Sequence, residues 1–344
     1  MAVSIVAGGQ YGSEGKGKIA FLWARDKGAA AAVRVGGSNS GHTVYGEDNT
    51  RYAFRMLPTA SLLQGVTAVL PAGAYIDISV LQEEIKISGI SKKRLRVDPN
   101  AVIIKEEYKE YEEKSRMGVY IGSTLSGTGA AVASRAMRIK ERPVVLAKDA
   151  PELKPYLCDT KSYLRDLLEQ DREIVIEGTQ GYGLSNYHAK EYPCATSRDT
   201  TAAGFLAETG LSPFDVKHVI LVIRGFPIRV AGHSGKLESE ITWQIVSEES
   251  GAKEAFEERT TVTDKVRRVG RFTGEIVREA IMVNRPDILV LNHVDYFDYE
   301  NRNQEQLSSR QLEWVRRIEE EIGKKIDFCG NGEMSLIPMR EANG

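Results

Sequence analysis

The chain has 344 residues, 42% hydrophobic and 27% charged, with net charge −2; this allows a sizeable core and excludes the strong field that favours nucleic acid or a membrane surface. Aromatic residues make up 8% and are scattered, so no basic groove with interleaved aromatics is predicted. Cys158, Cys194 and Cys329 lie far apart, which excludes a disulfide framework or zinc spacing and points to a reducing cytoplasm. No apolar run reaches ~18 residues, and no basic region precedes the first apolar run, so neither a membrane span nor an export signal is expected.

Apolar, β-branched runs recur along the chain and lead into glycine-rich turns. They are VSIVAGG, AAVRVGG, TAVLPAG, AVIIKEE, PVVLAKD, EIVIEGTQG, HVILVIRGFPIRV, DILVLNHVD and KKIDFCG. Continuous runs of this kind suit strands buried on both faces. Helical patterns fall between them. KIAFLWARDKG is predicted to end at Gly28, and DISVLQEEIKISG to run from an Asp77 cap to Gly89. EEYKEYEEKSR reads as a solvated helix face. LSSRQLEWVRRIEEEIG carries Leu307, Leu312, Val315, Ile318 and Ile322 at helical spacing. Strand and helix alternate, so the prediction is one large α/β domain over 1–344 around a mostly parallel sheet, with P-loop-like architecture and a loose tail over 330–344.

Gly12 to Lys18 reads GSEGKGK between the first strand and the first helix, and satisfies the G-x-x-x-x-G-K spacing. Glycines let several N–H groups face one anion, and the helix adds its positive end. Lys16 and Lys18 add charge. Ile19 follows in place of the usual Ser or Thr, so this is not an ordinary P-loop. A glycine-rich tight turn is the plainer reading. The loop GGSNSGHTV holds Asn39 and His42, and a histidine there suits a general acid or a surface position. STLSGTGAAVASRAMR is a second helix start able to bind an anion, or simply a capped helix with solvated arginines. The long polar loop over 177–201 follows a buried strand, where open α/β sheets bind ligands. TTVTDKVRRVGR offers hydroxyls and the cations Lys265, Arg267, Arg268 and Arg271, suited to a dicarboxylate or to solvent. Asn292 and Asp295 end a strand as N-x-x-D, a weak guanine-reading pattern.

Taken in order, GGQYGSEGKGK, NSGHT, STLSGTG, EGTQG, YPCATSRDTTA, GFPIRV, TVTDKVRRVG and LNHVD resemble the adenylosuccinate synthetase family over nearly the whole chain. The resemblance implies a homodimeric ligase with Mg²⁺ as cofactor. In that family the γ-phosphoryl of GTP passes to O6 of IMP, and the amine of L-aspartate then displaces phosphate. The implied catalytic set is Ser13, Lys16, His42 and Gln180. Donor phosphates fall to Gly12, Glu14, Gly15, Lys16, Gly17, Lys18, Gly41, His42 and Thr43. The monophosphate falls to Ser13, Asn39, Ser123, Thr124, Gln180, Thr196 and Lys265, with Arg138 reaching in from the second subunit. Thr261, Val262, Thr263 and Arg267 would hold aspartate, and Asn292, His293, Asp295 and Gly330 the donor base. Ser13 and Gly41 stand at the implied Mg²⁺ position.

The departures are specific. Ser13 stands where the family carries the aspartate that acts as base for N1 and binds Mg²⁺. That pattern resembles the phage branch of the family, the 2-aminoadenylosuccinate synthetases, which join aspartate to dGMP on the route to diaminopurine DNA. A smaller residue leaves room at purine C2. His293 replaces a lysine, CGNG over 329–332 replaces a glycine-proline element, and Asp264, Lys265 and Val266 replace a glycine and two arginines. ATP or dATP therefore competes with GTP as the expected donor, and a 2′-deoxy substrate is expected. The alternatives are an ordinary IMP-using enzyme that tolerates Ser13, and a nucleotide-binding relative without ligase activity. A cytoplasmic location, in the host if phage-encoded, goes with each.

Overall fold

The computed structural model describes residues 2–140, 143–260 and 264–339. Its centre is a nine-stranded sheet. In chain order the strands are β1 (Val3–Gly8), β2 (Ala31–Arg34), β3 (Thr67–Leu70), β4 (Leu95–Val97), β5 (Ile174–Glu177), β6 (Val216–Arg224), β7 (Ile288–Asn292), β8 (Phe328–Gly330) and β9 (Ile337–Pro338). The spatial order is β9-β8-β7-β6-β1-β5-β2-β3-β4. Every pair is parallel except β8 with β9.

The strand alternation divides the core. Val3, Ile5 and Ala7 of β1 pack with Phe205, Trp243, Val277 and Val315. Val6 faces the other way, against Ile19, Ala20 and Trp23 of helix α1 (Lys16–Asp26). Both faces are therefore apolar, which is why β1, β2 and β5 read as unbroken hydrophobic runs. Asp77 caps the helix Ile78–Ser88 by accepting from the Val80 N–H, and Gly89 ends it at φ 63°. Ser308 and Gln311 form a capping box at the start of the helix Ser309–Ile322. No described helix is long and apolar enough to cross a membrane.

Five expectations need correction. PVVLAKD makes only a bridge from Leu146 to Val102 before a 3-10 turn, and AVIIKEE gives a two-residue strand outside the main sheet. The run over 218–230 splits into β6 and a short strand Ile228–Arg229 of a separate antiparallel sheet. The segment 330–339 is tied down rather than loose, because β9 pairs with β8 and Asn331 is fully buried. The helix Glu106–Lys114 is not simply solvated: Tyr108 and Glu112 are buried.

Candidate active site

The loops after β1, β2, β5, β6 and β7 all leave the same carboxyl edge of the sheet, so they meet there. The loop after β1 turns through Gly12 (φ 98°) and Gly15 (φ 86°) into α1. Glu14 is buried inside it. Its Oε1 accepts from the N–H groups of Gln10 (3.0 Å) and Gly12 (2.8 Å), and its Oε2 pairs with Lys16 Nζ at 3.0 Å. Lys16 opens α1 and is paired with Glu14, which braces the loop from within.

Lys18 does not join Lys16. Residues two apart on a helix do not face each other, and Lys18 Nζ instead donates to Asn292 Oδ1 (3.0 Å) and to the Gly332 carbonyl (2.7 Å). Burial holds Lys18 down at about 8. Asn292 Nδ2 donates to the Glu14 carbonyl at 2.9 Å, so the end of β7 is stitched to the loop after β1. A Cβ on Gly15 would lie 2.1 Å from Asn292 Nδ2. Gly15→Ala therefore adds a clash to a left-handed backbone and is expected to destabilise the fold by about 1–3 kcal/mol. Urea unfolding checks this; an unchanged midpoint would count against the stitch.

His42 opens a short strand beside α1, where the lack of a side chain on Gly17 brings the His42 Cβ within 3.0 Å of the position a Cβ would take. His42 Nδ1 is hydrogen-bonded to Glu177 Oε1. The other oxygen of Glu177 accepts from the N–H (2.8 Å) and hydroxyl (2.6 Å) of Thr59. His42 Nε2 is buried without a partner among the described residues. Burial, reinforced by Arg34, pushes His42 down to about 4.

A cleft of about 750 Å³ brings Gly12, Ser13, Asn39, Gly41, Gln180 and Thr196 together. Ser123, Thr124, Lys265 and Arg267 line its other walls. Asn39 Nδ2 donates to Thr196 Oγ1 at 3.4 Å, and Gln180 takes φ 57° against Gly12. Thr43 follows His42 along its strand, half-buried. Arg138 is exposed at a helix end and does not line this cleft. Thr261, Val262 and Thr263 lie outside the described residues.

The residues expected at the donor base are engaged with other groups of the protein. Asp295 accepts from the Gly332 N–H at 3.2 Å and lies 3.6 Å from Arg302 Nε. His293 sits at φ 61°, pushed well down by burial and by Arg224. A Cβ on Gly330 would lie 2.0 Å from Asn292 Oδ1. The helix start after STLSGTG also differs from expectation. Glu112, from the helix Glu106–Lys114, accepts from the N–H groups of Gly127 (2.9 Å), Gly129 (2.9 Å) and Ala130 (3.2 Å). The protein's own carboxylate occupies the positive helix end expected for a phosphate.

Beside Ser13 lie Arg267, which the sequence reading expected at the aspartate, and Arg224 and Glu258, which it missed. Arg267 Nη1 donates to Ser13 Oγ, and Arg224 Nη1 donates to the Ser13 carbonyl at 2.7 Å. Arg224 Nη2 donates to Glu258 Oε1 at 2.6 Å. Burial pushes Glu258 up, but Arg224 and its cationic neighbours hold it at about 2. A carboxyl depressed in the fold contributes stability above its ordinary range, near 4.5, and loses it as pH falls toward 2. The stability gap between wild type and Glu258→Gln is expected to be full at pH 7 and to narrow below pH 4.5, as read by thermal unfolding at each pH. A pH-independent gap would refute the pairing.

The position implied for Mg²⁺ does not fit a resident ion. Ser13 Oγ receives a guanidinium, and among the described residues no three of His, Cys, Asp or Glu converge on a metal position. Mg²⁺ prefers carboxylate and phosphate oxygens.

A model of the adenylosuccinate synthetase family matches residues 5–150 and 141–302. The adenylosuccinate synthetases of Methanocaldococcus jannaschii and Methanococcus aeolicus are 35% and 33% identical, over 96% of this chain in each case and 94% and 97% of theirs. The fully ligated adenylosuccinate synthetase of Plasmodium falciparum shares the fold at TM-score 0.83 and 20% identity, over 98% of this chain and 100% of that one. The succinoaminodeoxyadenylate synthetase of cyanophage S-2L, bound to dGMP and to dATP as an energy donor, matches at TM-score 0.80 and 28% identity, over 99% and 96%.

Proposed function

The chain belongs to the adenylosuccinate synthetase family of C–N bond-forming ligases, and from that premise we propose that it joins L-aspartate to C6 of dGMP. The γ-phosphoryl of a nucleoside triphosphate passes to O6, and the aspartate amine displaces it. The products are 2-amino-2′-deoxy-N6-succinyladenylate, nucleoside diphosphate and phosphate. The observation that carries this reading is Ser13, a small hydroxyl lining the cleft and held by Arg267. The cyanophage enzyme's dGMP and dATP support it.

Each group has a part. The loop from Gly12 to Lys18 and Lys16 bind donor phosphates. His42 faces the transferring phosphoryl group, and Gln180, Thr124 and Thr196 hold the monophosphate. ATP or dATP is the donor, because both oxygens of Asp295 already face Gly332 and Arg302. Mg²⁺ travels with the triphosphate as its counter-ion. A homodimer places Arg138 at the neighbouring cleft.

The second reading, IMP with GTP, is favoured by the archaeal relatives' names. Incubation with aspartate, Mg²⁺ and ATP, offering dGMP and IMP in parallel, separates them by product mass. Succinyl addition to dGMP with little to IMP is expected. Product from IMP alone sinks the dGMP reading, and none from either, with GTP and dATP also tried, leaves a binding protein.

A further inference from the structure

Both backbone polar groups of Arg267 are paired. Its N–H donates to the Glu258 carbonyl at 2.9 Å, and its carbonyl accepts from Trp243 Nε1 at 2.8 Å. Its Nη1 also lies 3.9 Å from Glu258 Oε2, and Tyr296 donates to Glu258 Oε1 at 2.9 Å. The guanidinium is therefore held against Ser13 before any ligand arrives.

That contact sets the polarity of position 13. A hydroxyl carries one hydrogen and two lone pairs. Arg267 fills a lone pair, and among the described residues no group takes the hydrogen. Ser13 thus presents a donor to the cleft, where a carboxylate would present only acceptors. A donor at the purine edge matches a deprotonated N1–C6–O6 system, not the neutral N1–H.

We propose that Arg267 is a positioning residue for phosphoryl transfer, polarising Ser13 so that its O–H stabilises the purine anion formed when N1 loses its proton. This deepens the ligase reading above and rests on it. Neither serine nor guanidinium accepts a proton at neutral pH, so the N1 proton leaves to solvent water. The O6–phosphorus bond then forms as the β,γ-bridging bond breaks, and the nucleoside diphosphate leaves. Arg267 thereby acts one step before the aspartate contact that family resemblance implies for it.

The test omits aspartate. With dGMP and ATP carrying ¹⁸O in the β,γ-bridge, reversible phosphoryl transfer scrambles the label. Arg267→Met is expected to slow scrambling by about 10²-fold, the usual loss for one anion-stabilising donor, and to move the acid limb of its pH profile upward. Arg267→Lys restores part of both. Ser13→Ala, which leaves Arg267 in place, must give the same upward limb. Wild-type scrambling in Arg267→Met with only KM for aspartate raised overturns the proposal, as does an unmoved limb in folded Ser13→Ala. Should wild type scramble with IMP and not dGMP, the dGMP reading falls and the same comparison is read on IMP, so the two failures stay distinct.

Discussion

His42→Asn is expected to lower kcat by about 10²- to 10⁴-fold with little change in KM for the monophosphate. The carboxylate of Glu177 assigns the ring proton to Nδ1 and leaves Nε2 buried without a partner among the described residues. At about 4, the imidazole is neutral when nothing is bound. An approaching triphosphate brings the negative charge that draws a proton onto Nε2, which can then pass to the transferring group. Glu177→Gln keeps the shape and removes the charge that orients the ring. It is expected to lose less than His42→Asn but to change the pH dependence of kcat. Initial rates across pH 5.5 to 8.5 read both effects. A near-wild-type rate in His42→Asn would remove it from the chemistry and leave it a buried packing histidine.

The sequence made β1 and the glycine turn after it legible for a simple reason. A fully apolar strand, glycines at turning points and a helix start are all local signals, and each has a local cause. PVVLAKD failed because an apolar tetrapeptide carries no information about whether a neighbouring strand is free to pair. Lys18 was misplaced because a motif counts spacing along the chain, whereas the helix turns it away from Lys16 toward a strand 274 residues later. Glu177 and Arg224 were missed, yet the signal was there: a charge ending an apolar run that is buried on both faces needs a buried partner. Glu112 gave no such signal, since EEYKEYEEKSR holds several glutamates that look alike until one folds over a helix start. Ser13 stood out as a departure, but its partner Arg267 lies 254 positions away and only the fold joins them.

Ser13→Asp is the substitution with the largest expected effect on substrate choice. A carboxylate there accepts from Arg267 and also from guanine, whose N1–H and 2-amino group form a matching pair of donors. Against IMP, which offers N1–H alone, it can act as the N1 base that the family resemblance implies for this position. It also fills the space beside C2 that serine leaves open. Hypoxanthine has no 2-amino group, so IMP escapes that crowding. The IMP-to-dGMP ratio of kcat/KM is expected to rise by about 10²-fold, with faster IMP turnover and slower dGMP turnover. Parallel initial rates and equilibrium binding of each monophosphate measure the two components separately. An unchanged ratio would mean that position 13 does not read the purine edge, and substrate choice would then pass to the walls formed by Thr124, Thr196 and Lys265.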